Sequence, residues 1–167
     1  QGGVIYIHGN SIDFQGIENF NITSAYSEGE GAGLYTHAIA ENNITLTTAT
    51  VRGNQAEANG GNIYAESTTA SSNITLVNSN IVDGVAVNAN GAGIYQKAHM
   101  NATMTLDNAK IQSNEIQKYG DGGGIYNYNT SIAIASGSYS TANPGKSLTK
   151  GSNTATSTGT TNITLND

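Results

Sequence analysis

Five short phrases divide this chain at near-equal intervals. They are "GGVIY" ending at Tyr6, "GAGLY" at Tyr35, "GGNIY" at Tyr64, "GAGIY" at Tyr95 and "GGGIY" at Tyr126. The tyrosines lie 29, 29, 31 and 31 residues apart by subtraction of their numbers. A period between about 20 and 50 residues marks a unit that cannot bury its apolar face alone and must stack on its neighbours.

Each repeat carries two further slots. The second is "NITL" at 43–46 and 73–76, "TMTL" at 103–106, "SIAI" at 131–134 and "NITL" again at 162–165. In the first repeat, "SIDF" and "FQGI" both fit it. The third slot centres on Val51, Ile81, Ile111 and Tyr139, with Ile22 filling it in the first repeat. Apolar and polar residues alternate in every slot, which is the period of a strand with one buried face. Ile44/Leu46, Ile74/Leu76 and Met104/Leu106 would point inward in slot two, and Ala49/Val51, Ser79/Ile81 and Ala109/Ile111 in slot three. This period, with the glycine and β-branched content, excludes helix.

The expected fold is therefore all-β: a right-handed parallel β-helix, or solenoid, with three short strands and about 30 residues per turn. Its core is a thin column of Ile, Leu, Val and Ala. The glycines fall at corners, where φ turns positive and neighbouring backbones approach closely. Asn54 and Asn114 are further corner candidates, because Asn tolerates the left-handed region. One domain spans 1–167, with regular turns over about 2–140 and a degenerate Ser/Thr-rich last turn over about 141–167. There "NITL" at 162–165 takes slot two, after a glycine slot worn down near Lys150–Ala155.

Composition narrows the function. The formal charge is -6, with only six Lys plus Arg, so the basic face that nucleic acid requires is missing. Nor does any apolar run approach the ~18 residues of a membrane-spanning helix. There is no cysteine.

Together, "GG-x-[IL]-Y" and "[IV]-x-x-N", the latter in "VRGN" and "IQSN", resemble the repeats of right-handed β-helix surface proteins. The nearest resemblance is to polymorphic outer membrane proteins and autotransporter-type adhesins. It covers most of residues 2–140 and implies an extracellular or cell-surface adhesive or structural role. The Phe of that family's third-slot motif, its cysteines and its β-barrel translocator are not present.

The chain opens on slot one and closes on slot two, with no polar cap, so uncapped ends are expected. Stacking of such ends head to tail between copies would build a filament.

Several groups of residues could carry chemistry. Tyr6, Tyr35, Tyr64, Tyr95 and Tyr126 share one outward parity and should stack as an exterior aromatic ladder. That ladder would stabilise the rod, or serve as a sugar-stacking platform or a contact between protomers. Sequons occur at Asn21, Asn43, Asn73, Asn101, Asn129 and Asn162, all on outward parity and all candidates for N-glycosylation. His8, His37 and Glu66 fall in one column that has ligand-type side chains, but three solvated side chains on a ladder explain it better; His99 lies away from it. "YGDGGG" at 119–124 occurs once and reads as a corner. Thr45, Thr75, Thr105 and Thr164 align, but the adjacent outward column is irregular, which argues against an ice-ordering face. The acids, among them Asp13, Asp83, Asp107 and Glu115, are scattered, with no column gathering two of them and a base. An enzyme is not expected, nor a metal or other cofactor. The expectation is a glycosylated structural subunit or segment of an extracellular fibre whose principal partner is another copy of itself. The alternative is the passenger region of an adhesin that binds protein or glycan through a lateral face, and a remote one is a carbohydrate-active β-helix enzyme.

Overall fold

The computed structural model describes the backbone of residues 2–139, 154–157 and 161–163, and the side chains of residues 2–128. The fold is a β-solenoid in which every strand pairs in parallel with the one a coil away. The first coil holds β1 (Ile5–Gly9), β2 (Ile12–Glu18), β3 (Asn21–Thr23) and β4 (Tyr26–Ser27). The second holds β5 (Leu34–Ala38), β6 (Asn42–Thr47), β7 (Thr50–Arg52) and β8 (Gln55–Ala56). The third repeats the set as β9 (Ile63–Ser67), β10 (Ser72–Val77), β11 (Asn80–Val82) and β12 (Val85–Ala86). In the fourth coil the first three strands merge into β13 (Ile94–Gln112), followed by β14 (Glu115–Ile116). β15 (Ile125–Tyr139) covers the first three positions of the fifth.

The three expected strand positions are thus filled in the first five coils, as separate strands in the first three, and the first four coils add a fourth strand of two residues. Its four copies form a separate parallel sheet, β4-β8-β12-β14. The two candidates for the second slot of coil one are both correct. β2 bulges at Gln15–Gly16, so that Phe14 pairs with Ile44 and Ile17 with Leu46. At the far end the register differs from expectation. β16 (Thr154–Ser157) takes the second position beside Ser131–Ile134, and β17 (Thr161–Ile163) takes the third beside Gly137–Tyr139. Asn162 therefore stands in the third-strand column, not the second; Thr164 and Leu165 lie outside the described residues.

The core is the inward column itself. Leu34, Ile63, Ile94 and Ile125 from the first strands meet Ile44/Leu46, Ile74/Leu76 and Met104/Leu106 from the second. Val51, Ile81 and Ile111 close the column from the third. Burial of each such side chain contributes roughly 1.5–3 kcal/mol.

Three corner columns carry positive φ. The first glycine of the repeated phrase does so at Gly2, Gly31, Gly60, Gly91 and Gly122. Between the second and third strands, Asn19, Thr48, Asn78 and Asn108 share φ near 50° (55°, 50°, 50° and 48°). Between the third and fourth, Ser24, Gly53, Asp83 and Ser113 do the same. The left-handed residue at this last corner is thus the one before Asn54 or Asn114, which corrects the expectation for those two asparagines. Their amides turn inward and are fully buried.

Inside the coil they join a third buried amide from a different column. Asn54 Nδ2 donates to Asn62 Oδ1 at 2.8 Å, and Asn62 Nδ2 donates to Asn114 Oδ1 at 3.1 Å. Coils two and four place glycine before the tyrosine strand (Gly33, Gly93) and asparagine at the later corner (Asn54, Asn114). Coil three reverses the pair, with Asn62 first and Gly84 second. A Cβ on Gly84 would sit 2.5 Å from Asn62 Nδ2, and one on Gly93 2.8 Å from Asn114 Nδ2. Coils two, three and four therefore each supply one amide and one vacancy for it.

Thr48 is the misfit of its column. A β-branched residue is strained at positive φ, where Asn is tolerated. Thr48→Asn should stabilise the fold by about 1 kcal/mol and extend the amide ladder begun by Asn108 Nδ2 and Asn78 Oδ1, 2.7 Å apart. A urea unfolding midpoint that fails to rise would contradict this assignment.

Candidate functional site

The five tyrosines stack as expected. Successive ring centroids are 4.8, 4.8, 5.0 and 5.1 Å apart, and the planes lie within 6° of parallel. They point away from the aliphatic core, but the ladder is not exposed. Tyr35 and Tyr64 are each 3% exposed and Tyr95 8%, forming a second buried cluster that Tyr126 packs against. Only Tyr6 keeps about half its surface, at 48%. The rings cover one another, and the glycine corner lies over them. A Cβ on Gly31 would come within 2.9 Å of the Cβ atoms of both Tyr35 and Tyr64. The glycine of the repeated phrase thus supplies positive φ and makes room for the tyrosine ladder together. Because the ring faces are occupied by each other, no face within the stack is open as a platform for sugar rings.

The hydroxyl edges remain accessible, along a groove of about 520 Å³. One rim is the column two residues after each tyrosine: His8, His37, Glu66 and Lys97. Glu30 and Asn59 form the other rim. Asn59 is held on both sides, since its Nδ2 donates to Glu30 Oε1 at 3.1 Å and its Oδ1 accepts from the Asn90 amide at 2.9 Å.

His8 and His37 stack at 4.9 Å. The third member of that column is engaged by two neighbouring side chains. Lys97 Nζ donates to Glu66 Oε1 at 2.8 Å, and the Tyr64 hydroxyl donates to Glu66 Oε2. Among the described residues, no three His, Asp or Glu side chains gather to hold a metal ion. Lys97 could have been anticipated, since it stands two residues after Tyr95 as Glu66 does after Tyr64. His99 lines a neighbouring hollow of about 370 Å³ with Lys97 and Tyr128.

Electrostatics follow the burial. Desolvation pushes the Tyr35 hydroxyl up to about 12 and raises Tyr64 and Tyr95 as well, with the Glu66 hydrogen bond adding to the shift at Tyr64. Burial alone would raise the Glu66 carboxyl, but the hydrogen bonds from Lys97 and Tyr64 outweigh it and hold it below its usual value. The same bond to Glu66 raises Lys97.

A tyrosine raised by folding stabilises the native state fully below its unfolded value of about 10, and that contribution is lost as pH rises toward the folded value. In a rapid alkaline jump, phenolate absorbance should therefore rise in more than one phase. Tyr35, Tyr64 and Tyr95 should ionise only as the chain unfolds. A single fast phase of phenolate absorbance would contradict the buried ladder.

The sequons stand in different surroundings. Asn21 and Asn101 are exposed. Asn43 and Asn73 belong to a polar ladder, with Asn73 Nδ2 donating to Asn43 Oδ1 at 2.8 Å and Thr103 Oγ1 to Asn73 Oδ1 at 2.5 Å. The side chains of Asn129 and Asn162 lie outside the described residues. Thr45, Thr75 and Thr105 align as expected and are followed in that column by Ala133.

Among the described residues there is no helix, and so none long and apolar enough to cross a membrane. Compared with protein-family models, with curated proteins and with solved structures, the chain gives no match. The resemblance to β-helix surface proteins therefore rests on the repeat motifs and the solenoid fold alone.

Proposed function

We propose that this chain is a rod-forming segment of an extracellular or cell-surface fibre, stacked coil on coil between copies and N-glycosylated at exposed sequons such as Asn21 and Asn101. One observation carries this reading: successive coils repeat the same contact. A parallel backbone ladder, an aliphatic column, a tyrosine stack and side-chain amide bonds join one coil to the next. None of these needs the two coils to be covalently linked. A contact between two copies can therefore use the same pieces, and end-to-end addition that does not close on itself gives a filament. Sedimentation velocity over a range of concentrations tests this. Elongated species should grow in length as concentration rises; a single monomeric species throughout would contradict end-to-end assembly.

The groove favours a second reading, in which the rod presents a lateral adhesive face. Both readings use the same solenoid. They differ in whether the partner sits at the end of the rod or along its side.

A further inference from the structure

We propose that the groove over the tyrosine ladder binds a neutral, extended β-1,4-linked hexose chain lying parallel to the rod axis. The inference goes beyond the scaffold reading and does not depend on it, since a rod with an empty groove is still a rod.

Three observations point to this ligand. The first is a pair of hydroxyls that open onto the groove without a protein partner. Tyr35 and Tyr95 line the groove and are more than nine-tenths buried. Among the described residues, neither hydroxyl has a hydrogen-bond partner, whereas that of Tyr64 between them is taken by Glu66. Each ring is held in place by burial while its hydroxyl faces the groove, so it can both donate to and accept from a ligand hydroxyl without first breaking a bond within the protein.

The second is spacing. Near-parallel rings at 4.8 and 5.0 Å put the Tyr35 and Tyr95 positions two strand spacings apart, about 10 Å. The groups in the groove repeat by translation along the axis, with little rotation. A matching ligand must also repeat by translation. In a β-1,4-linked hexose ribbon alternate residues present the same edge, and the two-residue repeat is of this size. A helically coiled α-1,4 chain cannot keep one edge on the ladder.

The third is charge and rim chemistry. Among the described residues, the one Lys or Arg that lines the groove, Lys97, is already paired with Glu66, while Glu30 adds a second carboxylate that no Lys or Arg there pairs with. That combination disfavours an anionic chain. His8, His37, Glu30 and Asn59 supply donors and acceptors of the kind that bind sugar hydroxyls.

Calorimetric titration of the whole chain with cellohexaose, β-1,4-mannohexaose and maltohexaose tests the proposal. At least one of the two β-1,4 hexaoses should bind and maltohexaose should not. Tyr35→Phe and Tyr95→Phe keep the stacked rings and remove only the hydroxyls. Each should weaken binding by about tenfold or more. Tyr126→Phe, in the same ladder but outside the groove lining, should leave binding unchanged. Binding of neither β-1,4 hexaose would overturn the proposal, as would equal binding of maltohexaose or full affinity in the Tyr35→Phe/Tyr95→Phe double variant. Zinc binding in place of either β-1,4 hexaose would also overturn it and make the groove a metal site.

Discussion

Replacing Asn62 by glycine should destabilise the solenoid by about 3–5 kcal/mol, and replacing Gly84 by asparagine in the same chain should recover much of that loss. Asn62 is fully buried and bonds to Asn54, Asn114 and the Val82 carbonyl at once. Its removal leaves Asn54 Nδ2 with only a 3.5 Å contact to the Ile22 carbonyl. Gly84→Asn alone forces a Cβ to 2.4 Å from the Ala92 carbonyl oxygen and 2.5 Å from Asn62 Nδ2, and overpacking of this kind costs about 1–3 kcal/mol. The double variant gives coil three the arrangement of coils two and four, with glycine first and asparagine second. Its stability should exceed the additive expectation by about 2–3 kcal/mol, at the upper end of coupling between contacting residues. Equilibrium unfolding in urea of the two single variants and the double variant gives the cycle directly. Additive effects would mean that the exchange of amide and glycine between the two columns is accidental.

Gly60→Ala should cost at least about 3 kcal/mol. Gly60 has φ of 70°, and an added Cβ would lie 2.5 Å from the Ile63 carbonyl oxygen and 2.9 Å from Tyr64 Cβ. The comparison that isolates the steric part is Gly16→Ala. Gly16 has nearly the same φ, 71°, but nothing within 4 Å of its Cβ position. It should therefore cost only the backbone penalty, about 1–2 kcal/mol. Gly60→Ala should also bring Tyr64 into the early phase of alkaline ionisation, because the corner that covers its ring must move. Equal losses in the two variants would show that the glycine serves the backbone alone and not the tyrosine ladder.

These variants mark the boundary between what the repeat discloses and what it conceals. The coil length, the parallel stacking and the inward column from Leu34 to Ile125 all follow from period-2 alternation repeated every 29 to 31 residues. The fourth strand is hidden because two residues, such as Gln55–Ala56, are too few to display alternation. Parity correctly sends the tyrosines away from the aliphatic core, but parity cannot say what covers them. Their burial comes from the glycine corner and from ring stacking, both of which depend on how the backbone bends between strands.

The asparagines misled for a related reason. Asn54 and Asn114 sit one residue past the left-handed position, and local propensity does not resolve a one-residue offset. The exchange between Asn62 and Gly84 is legible only once the two columns are known to face each other. "NITL" at 162–165 copies the second-strand phrase, yet the structure pairs Ile163 with Tyr139 in the third-strand column. A shared phrase is a weaker guide to register than the backbone pairing it competes with.

Of the candidate site, the column of His8, His37 and Glu66 was visible, but its chemistry was not. Reading one position further along, to Lys97, turns an apparent ligand set into an ion pair that also captures the Tyr64 hydroxyl. That pairing engages the Tyr64 hydroxyl and leaves those of Tyr35 and Tyr95, on either side of it, open to the groove.

Electron cryo-microscopy of the native assembled material, with intact-mass analysis of the same sample, tests the central claim of end-on assembly most directly. The account predicts filaments in which the strand spacing of about 4.8 Å runs unbroken across the junctions between copies. It also predicts a subunit mass above the 17.2 kDa of the peptide. Isolated particles at the bare peptide mass would contradict it.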